Sequence, residues 1–118
     1  MIMAVNVINL EKRLCKTYAG RHIYNQLFRA VTSVGANYEE ARAGESRADF
    51  VHKMQIVLKE LRETQFWLKL IKTAKLTLPD NENLTDLLRE TNELTGITAK
   101  SVVTAKSNNP TDITKKIR

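Results

Sequence analysis

The chain has 118 residues, a length that predicts a single domain with one hydrophobic core. Its four glycines and two prolines are too few for the turns of an all-β domain of this size. One cysteine excludes an intrachain disulfide and suits a reducing compartment. With no basic, apolar leader pattern and no run of about 18 apolar residues, we expect a cytoplasmic protein without a membrane span.

The formal net charge is +6, and it is unevenly distributed along the chain. Residues 1–38 carry five basic side chains against one acid, and the tail from Lys106 onward carries four against one. The stretch Asp80–Glu93 is acidic. This asymmetry indicates a polyanionic partner or complementary subunit surfaces, although an ordinary solvated surface would explain a charge of this size equally well.

Apolar residues at spacings of three and four predict four helices. The first covers Val5–Tyr18, and Gly20 marks a break before the second, which covers Arg21–Ala43. Gly44 ends the second helix.

Ser46 is expected to cap the third helix, which ends near Ala74, because a serine oxygen can accept from the first-turn amides. Residues 78–81 have a composition that predicts a loop, and the fourth helix is predicted to cover about Asn83–Lys106. Long helices joined by short loops predict an all-α, antiparallel up-down-up-down four-helix bundle, a single domain over residues 1–106. Residues 107–118 are predicted to be a basic, disordered tail.

The third helix has more apolar surface than a monomeric bundle needs. One stripe suits the core: Phe50, Met54, Val57, Leu61, Thr64, Leu68 and Ile71. A second arc, about 100° away, contains Ile56, Trp67 and Leu70. The second helix has a similar surplus in Tyr24, Phe28 and Tyr38. These six residues predict an interface between copies of the chain, with the alternative that Trp67 covers the edge of the core.

A further face of the third helix is basic, because Lys59, Arg62 and Lys69 share it. Lys59 and Glu63 have the spacing of an ordinary helical ion pair, which would neutralise part of this charge. We expect nucleic acid to be bound by phosphate contacts from six residues: Arg13, Lys16, Arg21, Lys59, Arg62 and Lys69. A merely solvated face is the alternative.

No pattern of catalytic, cofactor-binding or metal-ligating residues is present in the sequence. His22 and His52 lack a second ligand at helical spacing, and Cys15 lies on an apolar stripe. Glycine-rich phosphate loops and nucleophile motifs are absent. Asn37 is unusual because it falls on the apolar stripe of the second helix, where it would fix the packing register; a ligand site is the alternative.

The segment Arg29–Ala41 resembles the signature of the four-helix bundle family named 23S rRNA intervening-sequence proteins. Arg29, Ser33, Val34, Asn37 and Glu40 match its pattern, and the run from Ser46 to Leu68 is similar to the third helix of that family. The resemblance covers about residues 8–105. It implies homo-oligomers, several of them pentamers, and relatives that assist retroelements by binding nucleic acid and a reverse transcriptase. It implies no enzymatic activity.

Three hypotheses follow. In the first, the protein is a non-enzymatic homo-oligomer that binds RNA or DNA through its basic surfaces, and the resemblance implies a pentamer. In the second, it is a structural or protein-interaction module whose charge serves solubility. In the third, Ser33, Asn37 and Glu40 form an enzymatic site, which would require a pocket around them.

Overall fold

The computed structural model describes residues 2–44, 46–77 and 81–107, and most of these residues are helical. No residue in these ranges is in a strand. The predicted loop residues 78–80 and the predicted tail beyond residue 107 lie outside them. The helices are α1 (Ile2–Ile8), α2 (Glu11–Leu14), α3 (Tyr18–Ala43), α4 (Arg47–Thr73) and α5 (Glu82–Ser107).

The predicted first helix is two short helices, α1 and α2, rather than a continuous one. At Leu10 the backbone N–H bonds to Val7, three residues back, so the chain tightens between the two pieces. The chain then leaves the helical path after Leu14, and α3 begins at Tyr18, three residues earlier than predicted. The hydroxyl of Thr17 caps α3 by accepting from the backbone N–H of Gly20 at 3.0 Å.

Gly20 is therefore part of the first turn of α3 and does not break a helix. A Cβ atom at this position would lie 1.7 Å from the carbonyl oxygen of Leu14, closer than any real contact. Glycine is needed here because α3 starts directly against the end of α2. The break that the sequence indicated is real, but it lies at residues 15–17.

The helices form the predicted antiparallel four-helix bundle. α3 packs against α4 and α4 against α5, while α1 contacts both α3 and α5 and so completes the bundle together with α2. Each helix contributes to one core, whose completely buried aliphatic side chains are Val7, Leu10, Leu14, Leu27, Leu61, Leu68, Ile71 and Leu87. None of the described helices is both long and apolar enough to cross a membrane.

Within residues 2–44, 46–77 and 81–107, one end of the bundle has three helices rather than four. α1 and α2 together run over about 20 Å, whereas α3 runs over about 40 Å at 1.5 Å per residue. Tyr38 follows Leu27, Val31 and Val34 on the core-facing side of α3, yet it is 45% exposed. Its exposure follows from its position beyond the reach of α1.

The ends of α4 are closely defined by the sequence. Ser46 caps its start as predicted, accepting from the backbone N–H of Asp49 at 3.1 Å. At its end Lys75 has a positive φ of 56°, and the N–H groups of Lys75 and Leu76 bond to the carbonyls of Lys72 and Ile71. This pair of bonds is a Schellman motif, which satisfies carbonyls left free at the helix end.

Candidate nucleic-acid interface

An ion-pair network joins α3 to α4 midway along their length. The guanidinium of Arg29 on α3 donates to Glu60 at 3.3 Å and also to Glu63, both on α4. The Glu60 side chain is only 9% exposed, and Arg29 supplies the opposite charge that a nearly buried carboxylate needs. Arg29 therefore holds both acids on the side of α4 that faces α3.

The same network controls the charge state of Glu63. The hydrogen bond from Arg29 is the main reason that the pKa of Glu63 lies below its ordinary value. Burial opposes this effect, and the indole N–H of Trp67, 3.3 Å from the carboxylate oxygen, adds to it. In turn, the hydrogen bond to Glu63 is the main cause of a raised pKa for Arg29. Both groups stay charged at neutral pH.

The other residues of the family signature continue along the same side of α3. Asn37 donates to the backbone carbonyl of Ser33 at 2.9 Å and to its hydroxyl at 3.0 Å. Glu40 forms an ion pair with Lys53 of α4. The described bonds of Asn37 stay within α3, so contacts that could set the register between helices come from Arg29 and Glu40 instead.

An aromatic cluster adjoins this network. The ring of Trp67 meets Phe66 edge to face at 4.9 Å between centroids, and it meets His22 of α3 in a similar way at 6.1 Å. Trp67 is half-buried and packs against the core, whereas Phe66 is 58% exposed. Trp67 thus covers the core edge while supporting an exposed ring.

The residues predicted to form an interface between copies do not all have free surface. Tyr24 is buried in the core of its own chain and stacks on half-buried Phe28. Burial raises the pKa of Tyr24, and the nearby carboxylate of Glu11 on α2 adds to the effect. Ile56 and Leu70 are half-buried on α4, so Tyr38 is the most exposed member of the set.

All six cations of the predicted nucleic-acid interface are exposed, but they fall into two groups. Arg13, Lys16 and Arg21 surround the connection between α2 and α3, where the guanidinium of Arg21 donates to the backbone carbonyl of Cys15 at 3.4 Å. The second group consists of Lys59, Arg62 and Lys69 on the outward face of α4.

The expected ion pair between Lys59 and Glu63 does not form. Glu63 instead turns toward α3, where it pairs with Arg29 and accepts from Trp67. Within the described ranges, no acid lies within salt-bridge distance of Lys59, Arg62 or Lys69. The positive charge of this face is therefore less compensated than the sequence suggested.

Phe66 lies on the same face and is not among the residues that the sequence pattern predicted. Lys59, Arg62, Phe66 and Lys69 are separated by three, four and three residues, so they form one line along the helix, which we call the outer stripe. The spacing was visible in the sequence, but the exposure of Phe66 depends on which side of α4 faces the bundle.

The enzymatic hypothesis requires a pocket around Ser33, Asn37 and Glu40. Two shallow depressions, of about 350 and 450 Å³, lie near the start of α4 and the end of α5, and neither is lined by Ser33, Asn37 or Glu40. Over residues 2–44, 46–77 and 81–107, no group of three His, Cys, Asp or Glu side chains is placed to hold a metal ion.

These features define an all-α up-and-down bundle with an acid–arginine network between its two central helices. The chain belongs to the family of 23S rRNA-intervening sequence proteins, whose family model matches residues 1–100. A solved structure from Bacteroides thetaiotaomicron, described as a protein of unknown function from the S23 ribosomal protein family, is similar. Its sequence is 32% identical with a TM-score of 0.73, over 86% of this chain and 92% of that one. No curated protein matches significantly.

Proposed function

We propose that this protein is a non-enzymatic, homo-oligomeric bundle that binds nucleic acid through its exposed basic surfaces. The observation that carries the proposal is the outward face of α4, where three exposed cations have no acidic partner among the described residues. Phosphates are the natural partner of such a face, because each neutralised phosphate releases condensed counterions. The family name refers to 23S rRNA, which favours RNA as the ligand.

Oligomerisation would strengthen binding by this modest charge. Each protomer carries a net charge of +6, and several copies held together present several basic faces to one strand. The half-buried residues Ile56, Trp67 and Leu70, with exposed Tyr38, supply apolar surface for contacts between copies.

The nucleic-acid proposal is tested by charge reversal on α4. The triple variant with Lys59, Arg62 and Lys69 each changed to Glu is compared with wild type for RNA binding at several salt concentrations. We expect the wild-type affinity to fall with salt, with a log–log slope of about −2 for three phosphates of a single strand. The variant is expected to bind weakly at all salt concentrations and to keep its helical circular dichroism spectrum.

A matched control reverses three other exposed cations: Lys12, Lys100 and Lys106. This control changes the net charge by the same amount, so it separates the local site from the overall field. Equal weakening in both triple variants would refute a site on α4. Wild-type protein that takes up neither RNA nor DNA at low salt would refute the proposal altogether.

Self-association is tested by light scattering of wild type and Trp67→Glu. We expect the wild type to be an oligomer and the variant to be smaller, because a buried carboxylate would destabilise an apolar contact. A monomeric wild type would contradict the interface on α4.

The second candidate function is a protein-interaction module. Exposed apolar side chains at or near the three-helix end favour it, namely Tyr38 at 45%, Ile97 at 61% and Val103 at 67%. Retention of one defined protein partner after nuclease treatment, by a chain that binds no nucleic acid, would support this alternative.

A further inference from the structure

The outer stripe combines positive charge with one exposed aromatic ring. Its first and last cations, Lys59 and Lys69, are separated by about 15 Å along the helix axis, at 1.5 Å per residue. That length matches at most about four nucleotides at the 3.4 Å spacing of a stacked strand. Phe66 lies between Arg62 and Lys69, and 58% of it is exposed.

The ring of Phe66 packs edge to face against the neighbouring Trp67. Its neighbour Trp67 meets it at an interplanar angle of 76°, and Trp67 is itself held by Glu63 and packed on the core. A single exposed apolar side chain is common on protein surfaces and by itself indicates nothing. Here the exposed ring has a fixed neighbour and lies in line with three cations that have no acidic partner in the described ranges.

We propose that the outer stripe of α4 binds single-stranded nucleic acid, with an unpaired base stacked on Phe66 and adjacent phosphates held by Lys59, Arg62 and Lys69. This inference rests on the proposed nucleic-acid function and specifies its ligand. Bases in a duplex are already stacked on each other, so an exposed ring on a convex helix can reach only an unpaired base. Base–aromatic stacking is tolerant of sequence, and the stripe offers no base-edge readout.

Two other polyanionic partners fit this face less well. A membrane-surface helix needs a broad apolar face to enter the lipid, whereas the outer stripe has one aromatic residue among three cations. An acidic protein segment would use the charges but would have little need for a ring that is aligned between them. Both partners are therefore outcomes of the experiment below.

The experiment measures fluorescence anisotropy with two labelled ligands: an unstructured oligonucleotide of about 12 uridines and a blunt RNA duplex of equal length. The variants are Phe66→Ala, Phe66→Leu and Phe66→Tyr. Phe66→Leu keeps an apolar side chain of similar bulk without a ring, and Phe66→Tyr keeps the aromatic ring. The control is Val103→Ala, which truncates another exposed apolar side chain, 67% exposed, on a different helix.

We expect Phe66→Ala and Phe66→Leu to weaken binding of the single strand about tenfold, while Phe66→Tyr binds within about twofold of wild type. The salt slope should stay unchanged in all three, because no charge is removed. Duplex binding should be the same in every variant. Val103→Ala should match wild type on both ligands.

Several results would overturn the inference. If wild type binds the single strand but Phe66→Ala and Phe66→Leu do so equally well, stacking is refuted and the charge-based function stands. If both ligands weaken equally in these variants, the ring has only a structural role. If wild type binds neither ligand, the proposed function fails as well. If wild type prefers phosphatidylserine vesicles or a poly-glutamate peptide to the single strand, the ligand assignment is wrong.

Discussion

Two buried threonines differ in whether their hydroxyl groups are satisfied. The hydroxyl of Thr64 on α4 donates to the backbone carbonyl of Glu60 at 2.8 Å. That of Thr91 on α5 is completely buried, and it has no hydrogen-bond partner among the described residues. An unpartnered buried hydroxyl lowers stability, because its hydration is lost without compensation.

We therefore expect Thr91→Val to raise the free energy of unfolding by about 1 kcal/mol, since valine keeps the branched shape without the hydroxyl. Urea unfolding followed by circular dichroism measures this change. Thr64→Val is the matched control and should lower the free energy of unfolding by about 1 kcal/mol, because a satisfied bond is lost. A destabilised Thr91→Val protein would mean that this hydroxyl has a partner, such as a bound water.

The network around Arg29 predicts a dependence of stability on pH. The pKa of Glu63 is lower in the folded chain than in the unfolded one, so the unfolded state binds the proton more tightly. The stabilisation is therefore complete above the ordinary glutamate pKa of about 4.5, and it is lost as the pH falls through the lowered value. Above that range this contribution does not vary with pH.

Arg29→Gln should lower the free energy of unfolding by about 2 kcal/mol at pH 7, since the nearly buried Glu60 loses its counter-charge. The difference from wild type should shrink in acid as Glu63 is protonated. Urea unfolding at a series of pH values measures both effects. Arg42→Gln is the control, because its ion pair with Glu39 is exposed and should contribute little. An equal deficit for Arg29→Gln at low and neutral pH would show that the ion pair does not couple to protonation.

At the scale of a helix, α4 ends with a lysine at the position of its Schellman motif where glycine is usual. Lys75 has a φ of 56°, a conformation that costs a residue with a Cβ atom about 1 kcal/mol or more. Lys75→Gly should raise the free energy of unfolding by about 1 kcal/mol, measured by urea unfolding. Lys72→Gly, three residues earlier and inside α4, should lower it, because glycine is a poor helix former. If both changes destabilise the protein, Lys75 makes contacts that outweigh its backbone strain.

The ends of the helices show what local sequence can and cannot predict. Ser46 was predicted correctly because a serine followed three residues later by Asp49 is a local capping signal. Thr17 caps α3 in the same way, but this cap was not predicted, because Gly20 within three residues of it indicates a helix break. The true reason for Gly20 is the carbonyl of Leu14, a contact between elements that periodicity does not reveal.

The same limit applies to the candidate site. The sequence predicts that Lys59, Arg62 and Lys69 share one face of α4 because they are close in the chain, and all three are exposed. It assigned Glu63 to Lys59, four residues away, whereas the partner in the fold is Arg29, 34 residues away. The pairing of Glu63 with Arg29 depends on how α3 packs against α4. The same packing leaves Phe66 exposed.

At the scale of the whole molecule, the bundle is unequal along its length. α3 packs against α1, α2 and α4. Because α1 and α2 together are only about half as long as α3, they accompany its first half, and Tyr38 and the residues after it lie beyond α1. Local opening is easier where fewer side chains are buried. The end with three helices should therefore be the less stable part of the fold.

Hydrogen exchange measures this difference residue by residue. Amides of residues 34–43 in α3 should exchange faster than those of residues 23–31, and dilution of the protein should not change their order. The two halves of α4 give an internal comparison, with residues 50–58 expected to exchange faster than residues 61–70. Uniform protection along α3 would contradict the prediction and would mean that another surface covers this end.

The chain contains one tryptophan, and it lies where α3, α4 and the outer stripe meet. Trp67 touches the ring of Phe66, approaches His22 and donates to Glu63, so its surroundings combine an apolar core edge with a carboxylate. Its ultraviolet emission is consequently a built-in optical reporter. Loss of the contact between α3 and α4 exposes the indole to water and shifts the emission to longer wavelength, without any attached dye. An unpaired base stacked on Phe66 would alter the same emission while the helices stay folded.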